Sequence, residues 1–258
     1  MTALVTGASS GIGLMYAREL ACMGHDVVIV SNEQDALLKV ADDLHREFAV
    51  AVTPVYKDLT QATAAQELHD YCREQSLVID ILINNAGVFF FNYLTRVPME
   101  KIERMLQLHV LNTTRMTRLF GADMQQRGKG YILNMSSLAA FVPMPGIQCY
   151  VATKAYIDYF SRSMWYELKP YGVNVLSVTP GAVDTGLYGL SMPLRRLAVR
   201  LHVSIPPEDL VKKALRALFK GRKRCMPGLI NHLYLPFVKH CPDWLVYSVM
   251  KRINKHMK

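Results

Sequence analysis

Two hydrophobic patterns alternate along the first 220 residues. Short, near-continuous apolar runs such as Val27-Val28-Ile29-Val30 have the character of strands buried on both faces. Between them lie longer stretches in which apolar residues recur every three or four positions, the period of a helix with one buried face. The runs predict strands at 3–6, 26–30, 51–55, 79–84, 131–135 and 173–179, with a helix after each of the first five and another from about Pro207. Such alternation builds βαβ units on a parallel sheet. The expectation is an α/β fold: a doubly wound parallel sheet with helices on both faces.

Composition adds limits. A chain of 258 residues with 51% apolar residues supports one large core, and doubly wound sheets of this size commonly fold as one unit. The five cysteines (22, 72, 149, 225 and 241) show no paired spacing and no zinc pattern, so reduced thiols and no metal are expected. Met1 leads almost directly into the first strand-like run, and no uncharged apolar run reaches spanning length. The expected location is therefore the cytoplasm.

The net charge of +9 is unevenly placed. From Val211 to the end, twelve Lys/Arg stand against one acid, Asp243, which leaves the first 210 residues at −2. Residues 1–220 are read as one domain and 221–258 as a basic amphipathic extension of it. Near the end, Val246, Val249, Met250, Ile253 and Met257 fall at helical spacing, with Lys251, Arg252 and Lys255 opposite. A peripheral membrane contact, a dimer contact or a solvated terminal helix all fit this pattern. Nucleic acid does not, since neither a reading helix nor a stacking platform is evident.

The first candidate for chemistry is the segment 6–13, Thr-Gly-Ala-Ser-Ser-Gly-Ile-Gly, between the first strand and a helical stretch starting near Leu14. Glycines allow a tight turn and close approach of backbone to a pyrophosphate, whose charge the N–H groups of a helix start then meet. The spacing is GxxxGxG rather than a Walker loop, and its place after the first strand points to a dinucleotide. At the end of the second strand an acid would hydrogen-bond the ribose hydroxyls of NAD. Ser31 stands there, followed by Asn32 and Glu33, so NADP is favoured over NAD. The segment 7–11 also fits the GxSxG of a nucleophile elbow. That elbow takes an oxyanion-hole donor from a loop after an earlier strand, and none precedes Ser9.

The second candidate is Tyr150-Val151-Ala152-Thr153-Lys154, which puts Tyr and Lys on one helical face. A free phenol with a pKa of about 10 is a poor base at neutral pH. Lowering it by about 3 units takes roughly 4 kcal/mol, which a nearby ammonium and a cationic nicotinamide ring would supply. Tyr150 would then exchange a proton with an alcohol or carbonyl oxygen as hydride moves. Ser136 and Ser137 follow the fifth strand, at the carboxyl edge where ligands bind. Ser137 is the candidate to orient the substrate oxygen.

Together these blocks resemble the short-chain dehydrogenase/reductase family. They are residues 6–13, Asp58, Asn84-Asn85-Ala86-Gly87, Ser137, Tyr150/Lys154 and Pro180-Gly181-Ala182-Val183-Asp184-Thr185, in order across residues 2–220. The resemblance implies a Rossmann-type sheet of about seven strands, makes residues 1–220 a dinucleotide-binding catalytic domain, and implies an NAD(P)-dependent oxidoreductase acting on a carbonyl/alcohol pair. It implies cofactor contacts at Gly7, Ser9, Ser10, Gly11, Ile12, Gly13, Ser31, Asn32, Asp58, Leu59, Asn85, Ala86 and Gly87. Further along the chain it implies them at Tyr150, Lys154, Pro180, Gly181, Val183 and Thr185. It also implies a homodimer or homotetramer. A non-catalytic NADP-binding sensor or scaffold is the alternative, although such a protein needs no Ser/Tyr/Lys set.

One departure stands out. The family carries an Asn eight residues before a Thr in the fifth helix, where it helps hold a water that passes protons to the Lys. Counting back from Thr117 gives His109, with Asn112 three residues later. An imidazole can hydrogen-bond a relay water, one nitrogen donating and the other accepting. A helix histidine with no relay role fits equally. Around the site, Phe89-Phe90-Phe91, Tyr93, Met144, Pro145, Leu187, Tyr188, Leu190 and Met192 favour a lipophilic carbonyl: steroid-like, acyl or aromatic. Arg195, Arg196 and Arg200 would meet an acidic group on it or face water.

Overall fold

The computed structural model describes residues 1–183 and 204–228, together with positions 242, 244, 247 and 248. Seven parallel strands form one sheet. These are β1 (Thr2–Thr6), β2 (Asp26–Ser31), β3 (Val52–Tyr56), β4 (Ile79–Asn84), β5 (Gly130–Met135), β6 (Val173–Val178) and β9 (Arg224–Cys225). Their order is β3-β2-β1-β4-β5-β6-β9. Six of the seven fall within a residue or so of the predicted runs. A two-strand parallel ribbon, β7 (Ala182–Val183) with β8 (Ser204–Ile205), lies apart.

Alternate strand residues feed two cores, as a sheet covered on both faces requires. Ala3, Val5, Val27, Ile29, Ile81 and Ile83 pack with α1 (Gly11–Cys22), α2 (Gln34–Phe48) and α7 (Pro207–Phe219). Leu4, Val28, Leu82, Ile132 and Val175 pack with α3 (Ala64–Glu74), α5 (Thr113–Arg127) and α6 (Gln148–Leu168). Before α5 the chain forms α4 (Met99–Leu106) and a widened π-type turn, Gln107–Asn112.

The chain begins in mid-sheet, winds out to β3 and returns to pair β4 with β1. Strand order reverses there, and a crevice opens outside the carboxyl ends of β1 and β4, where doubly wound sheets bind ligands.

Two boundaries differ from the sequence reading. Helix α1 starts at Gly11, three residues before Leu14, because the glycine cradle runs directly into its first turn. The seventh strand lies past residue 220, inside the segment read as an extension. It carries no apolar run and is held instead by Asp158 of α6, which is fully buried. Arg224 makes two hydrogen bonds to Asp158, at 3.2 and 2.8 Å, and Ser177 of β6 donates to the same carboxylate at 2.7 Å. Among the described residues, no helix is long and apolar enough to cross a membrane, and no group of side chains is placed to hold a metal.

Candidate active site

A cleft of about 520 Å³ opens at the crevice. Its cofactor side is built largely from backbone. Gly7 and Gly11 adopt φ of +67° and +57°, a region in which glycine carries no Cβ penalty. A Cβ on Gly13 would lie 2.0 Å from the Gly7 carbonyl oxygen, so the loop closes onto α1 only because that atom is missing. Thr6 ties this loop to the one after β4: its hydroxyl accepts from the N–H groups of Asn85 and Ala86, both at 3.0 Å. The Asn85 side chain returns a hydrogen bond to the Thr6 carbonyl at 2.9 Å. Helix α1 has no side-chain cap on its first turn, leaving its leading N–H groups for a phosphate. These features fit a dinucleotide.

The adenosine end is polar. Ser31 donates to Ser9 at 2.9 Å, Ser9 donates to the Glu33 carboxylate at 3.0 Å, and the Glu33 N–H donates to Ser31 at 3.1 Å. Across the cleft, Asp58 accepts from the N–H and hydroxyl of Thr60 at 3.0 and 2.8 Å. Burial pushes the Asp58 carboxyl up, but these bonds and the Arg104 guanidinium outweigh it and hold the group below its usual range.

The side that carries the candidate catalytic residues is built from side chains. Helix α6 turns the buried residues Tyr150, Thr153 and Lys154 inward together. The Lys154 ammonium donates to the Met135 carbonyl at 2.8 Å and lies 5.5 Å from the centre of the Tyr150 ring. Burial pulls its pKa down to about 8, and a phenolate beside it would favour the charged form. Ser136 donates to the Lys154 carbonyl at 2.6 Å, pinning α6 to the end of β5. Ser137 is buried beside it and accepts from the Ala139 N–H at 3.2 Å. Ser137, Tyr150, Lys154 and His109 all line the one cleft, with the cofactor loops opposite.

A family model described as short chain dehydrogenase matches residues 1–191. The chain belongs to the short-chain dehydrogenase/reductase family. As a member, it is an oxidoreductase of the carbonyl/alcohol pair that binds NAD(P). It is 32% identical to a very-long-chain 3-oxoacyl-CoA reductase of Anas platyrhynchos, over 99% of this chain and 80% of that protein. Among solved structures it is similar to a short-chain dehydrogenase from Sphingobium yanoikuyae in complex with NADPH, at 32% identity and a TM-score of 0.81 over 98% of this chain and 95% of that one. It is also similar to a bulky-bulky ketone specific alcohol dehydrogenase from Comamonas testosteroni, at 30% identity and a TM-score of 0.78 over 100% and 94%.

Of the residues expected to touch the cofactor, those of the glycine cradle, Ser31, Asn32, Asp58, Leu59, Asn85, Ala86, Gly87, Pro180, Gly181 and Val183 line the cleft. The exception in the cradle is Gly13, whose part is to let loop and helix touch. Thr185 lies outside the described residues, as do Leu187, Tyr188, Leu190, Met192, Arg195, Arg196, Arg200 and the apolar stripe near the end. Phe89 and Phe90 pack with Ile147 and Tyr150, and the Phe89 ring meets the Tyr150 ring edge-on at 5.1 Å. Sequence reasoning named Thr6 only as the first residue of the cradle segment and missed Lys57, Thr60, Val88 and Arg104, which line the cleft. The part of the Thr6 hydroxyl was findable from its place at a strand end, whereas Arg104 reaches the cleft from a helix that carries no motif.

Proposed function

We propose that this enzyme reduces a lipophilic ketone, with Tyr150 as the proton donor, Ser137 as the group orienting the substrate oxygen and Lys154 as the cation that tunes Tyr150. The observation that carries the reading is the convergence of all three side chains on the cleft that the glycine cradle also lines. When bound, the nicotinamide supplies the hydride to the carbonyl carbon. The phenol of Tyr150 gives its proton to the carbonyl oxygen as negative charge grows there. Ser137 hydrogen-bonds the same oxygen, and the Lys154 ammonium stabilises the phenolate left behind. Run backward, the same groups oxidise an alcohol.

The packing of Phe89 and Phe90 against Tyr150 supports an apolar group on the substrate, and the relatives' names point the same way: a very-long-chain 3-oxoacyl-CoA or a bulky ketone. NADP is the proposed cofactor. Ser31 places a hydroxyl rather than an acid at the end of β2, and Lys57, whose ammonium is paired with Glu67 at 2.9 Å, also lines the cleft. The Glu33 carboxylate, held by Ser9, opposes a 2′-phosphate and moderates that preference. The same reading places the protein in the cytoplasm as a homodimer or homotetramer. Its basic C-terminal segment, with Trp244 and Tyr247 at 67% and 74% exposure, touches a membrane surface.

The test follows NADPH and NADH oxidation across long-chain 3-oxoacyl-CoA, steroid ketones and aromatic ketones, in the wild type and in Tyr150→Phe. Turnover with at least one apolar ketone, reduced about a thousandfold or more in the variant, is expected. Equal turnover by the variant overturns the mechanism.

A further inference from the structure

The loop after β4 and helix α6 lie far apart in the chain, and the side chain of His109 hydrogen-bonds both. It sits in the π-type turn Gln107–Asn112, is 1% exposed, and presents its ring edge-on to Tyr150 with centres 5.9 Å apart. Such widened turns recur at functional positions because they re-aim one residue of a helix. Nε2 lies 3.0 Å from the backbone nitrogen of Val88. A backbone N–H can only donate, so Nε2 is the bare, accepting nitrogen. In a neutral ring the proton then sits on Nδ1, 2.9 Å from the Thr153 hydroxyl oxygen. Thr153 spends its own proton on the Tyr150 carbonyl at 2.8 Å, leaving its oxygen free to accept from Nδ1. The three bonds agree in direction, and no other tautomer satisfies all of them.

The surroundings enforce that state. A Cβ on Gly87 would lie 3.0 Å from His109 Nε2 and 3.7 Å from Lys154 Nζ, so imidazole and ammonium crowd the same glycine. An imidazolium could no longer accept from the Val88 N–H and would put a positive charge next to the Lys154 ammonium. Burial first, and Lys154 second, hold the ring pKa well below its usual value. Tyr150 and Lys154 are the titratable groups that face the ring from α6.

We propose that His109 is a positioning residue: a neutral imidazole, protonated on Nδ1, that ties the cofactor-side loop at Val88 to the catalytic helix at Thr153 and so sets where Tyr150 stands. On this proposal both ring nitrogens are spent on the tie, and the ring passes no proton to water. The inference deepens the reductase reading and rests on it.

Two measurements test it. Imidazole ¹⁵N NMR on the full chain, with the His109 signals assigned by their absence in His109→Gln, requires no substrate. The neutral Nδ1–H form is expected unchanged from about pH 6 to 9. An Nε2–H tautomer, or titration within that window, overturns the proposal. The second measurement uses an aromatic ketone with NADPH. Thr153→Val keeps the shape of its side chain and removes the acceptor, and His109→Leu removes the tie. Each should lower kcat about tenfold while KM for NADPH stays within about threefold and the pH midpoint of kcat stays put. His109→Gln, which keeps an acceptor and a donor, should recover most of the rate. Unchanged kcat in Thr153→Val, or a moved pH midpoint in the His109 variants, contradicts the proposal. Absence of turnover by the wild type would instead sink the reductase reading, and the NMR result would still report the tautomer.

Discussion

The two sides of the cleft are made of different materials. The cofactor side is backbone, with Gly7, Gly11 and Gly13 contributing chiefly by the atoms they lack and Thr6 buttoning two loops together. The catalytic side is side chains, each held by a named hydrogen bond: Lys154 to Met135, Ser136 to Lys154, His109 to Val88 and Thr153. A surface built from absent atoms tolerates no addition, because the clash is with backbone that cannot rotate away. A surface built from hydrogen-bonded side chains tolerates substitutes that keep donor, acceptor and reach. Binding should therefore fail when one side is altered, and turnover when the other is.

That contrast can be broken at three places outside the catalytic groups. Gly13→Ala should have the largest effect. Its Cβ would press on the Gly7 carbonyl at 2.0 Å and the Asn85 amide at 2.6 Å, so the cradle must open. Titration with NADPH should show at least about a thousandfold weaker binding, some 4 kcal/mol. Near-normal affinity would mean the cradle is not the binding surface. Asp158→Asn comes next. It leaves Arg224 and Arg162 facing a neutral group where each had a carboxylate oxygen, at 2.8 and 3.1 Å. Denaturant unfolding should show a loss of about 3 kcal/mol, because breaking a buried ion pair strands charge. NADPH affinity of the folded variant should hold within about twofold, since Asp158 lies away from the cleft. A stability loss under about 1 kcal/mol would show that β9 is held by other means.

The smallest effect on the site should come from cutting the chain after Gly228. This keeps β9, whose Cys225 carbonyl accepts from the Thr179 N–H at 2.8 Å, and removes the basic segment beyond it. Cofactor affinity should not change, while binding to anionic vesicles should fall about tenfold or more, at roughly 1 kcal/mol per cation lost near the surface. Unchanged vesicle binding would assign the segment to a solvated or packed role.

Much of the cofactor side was legible in the sequence for the same reason that it is intolerant. Glycines at fixed spacing after a buried strand leave a mark that few other structures need, and six of the seven sheet strands announce themselves as apolar runs. That Tyr150, Lys154 and Ser137 would meet at one cleft was legible by spacing once that frame was recognised. The rest depends on contacts between distant residues. Strand β9 is invisible as a pattern because Asp158, 66 residues earlier, holds its arginine in place of an apolar run. The position of His109 was visible, but Val88 and Thr153, which decide what its nitrogens do, are not marked by any motif. Arg104 lines the cleft from α4, whose sequence carries no motif that marks it.

The central claim is that Tyr150 moves a proton on a catalytic side separable from the binding side. It is tested most directly by measuring, on Tyr150→Phe, both NADPH binding by fluorescence titration and NADPH oxidation with the ketone that the wild type reduces fastest. Affinity within about threefold of wild type, with turnover down about a thousandfold or more, is the predicted result. Turnover retained within about tenfold would contradict the account.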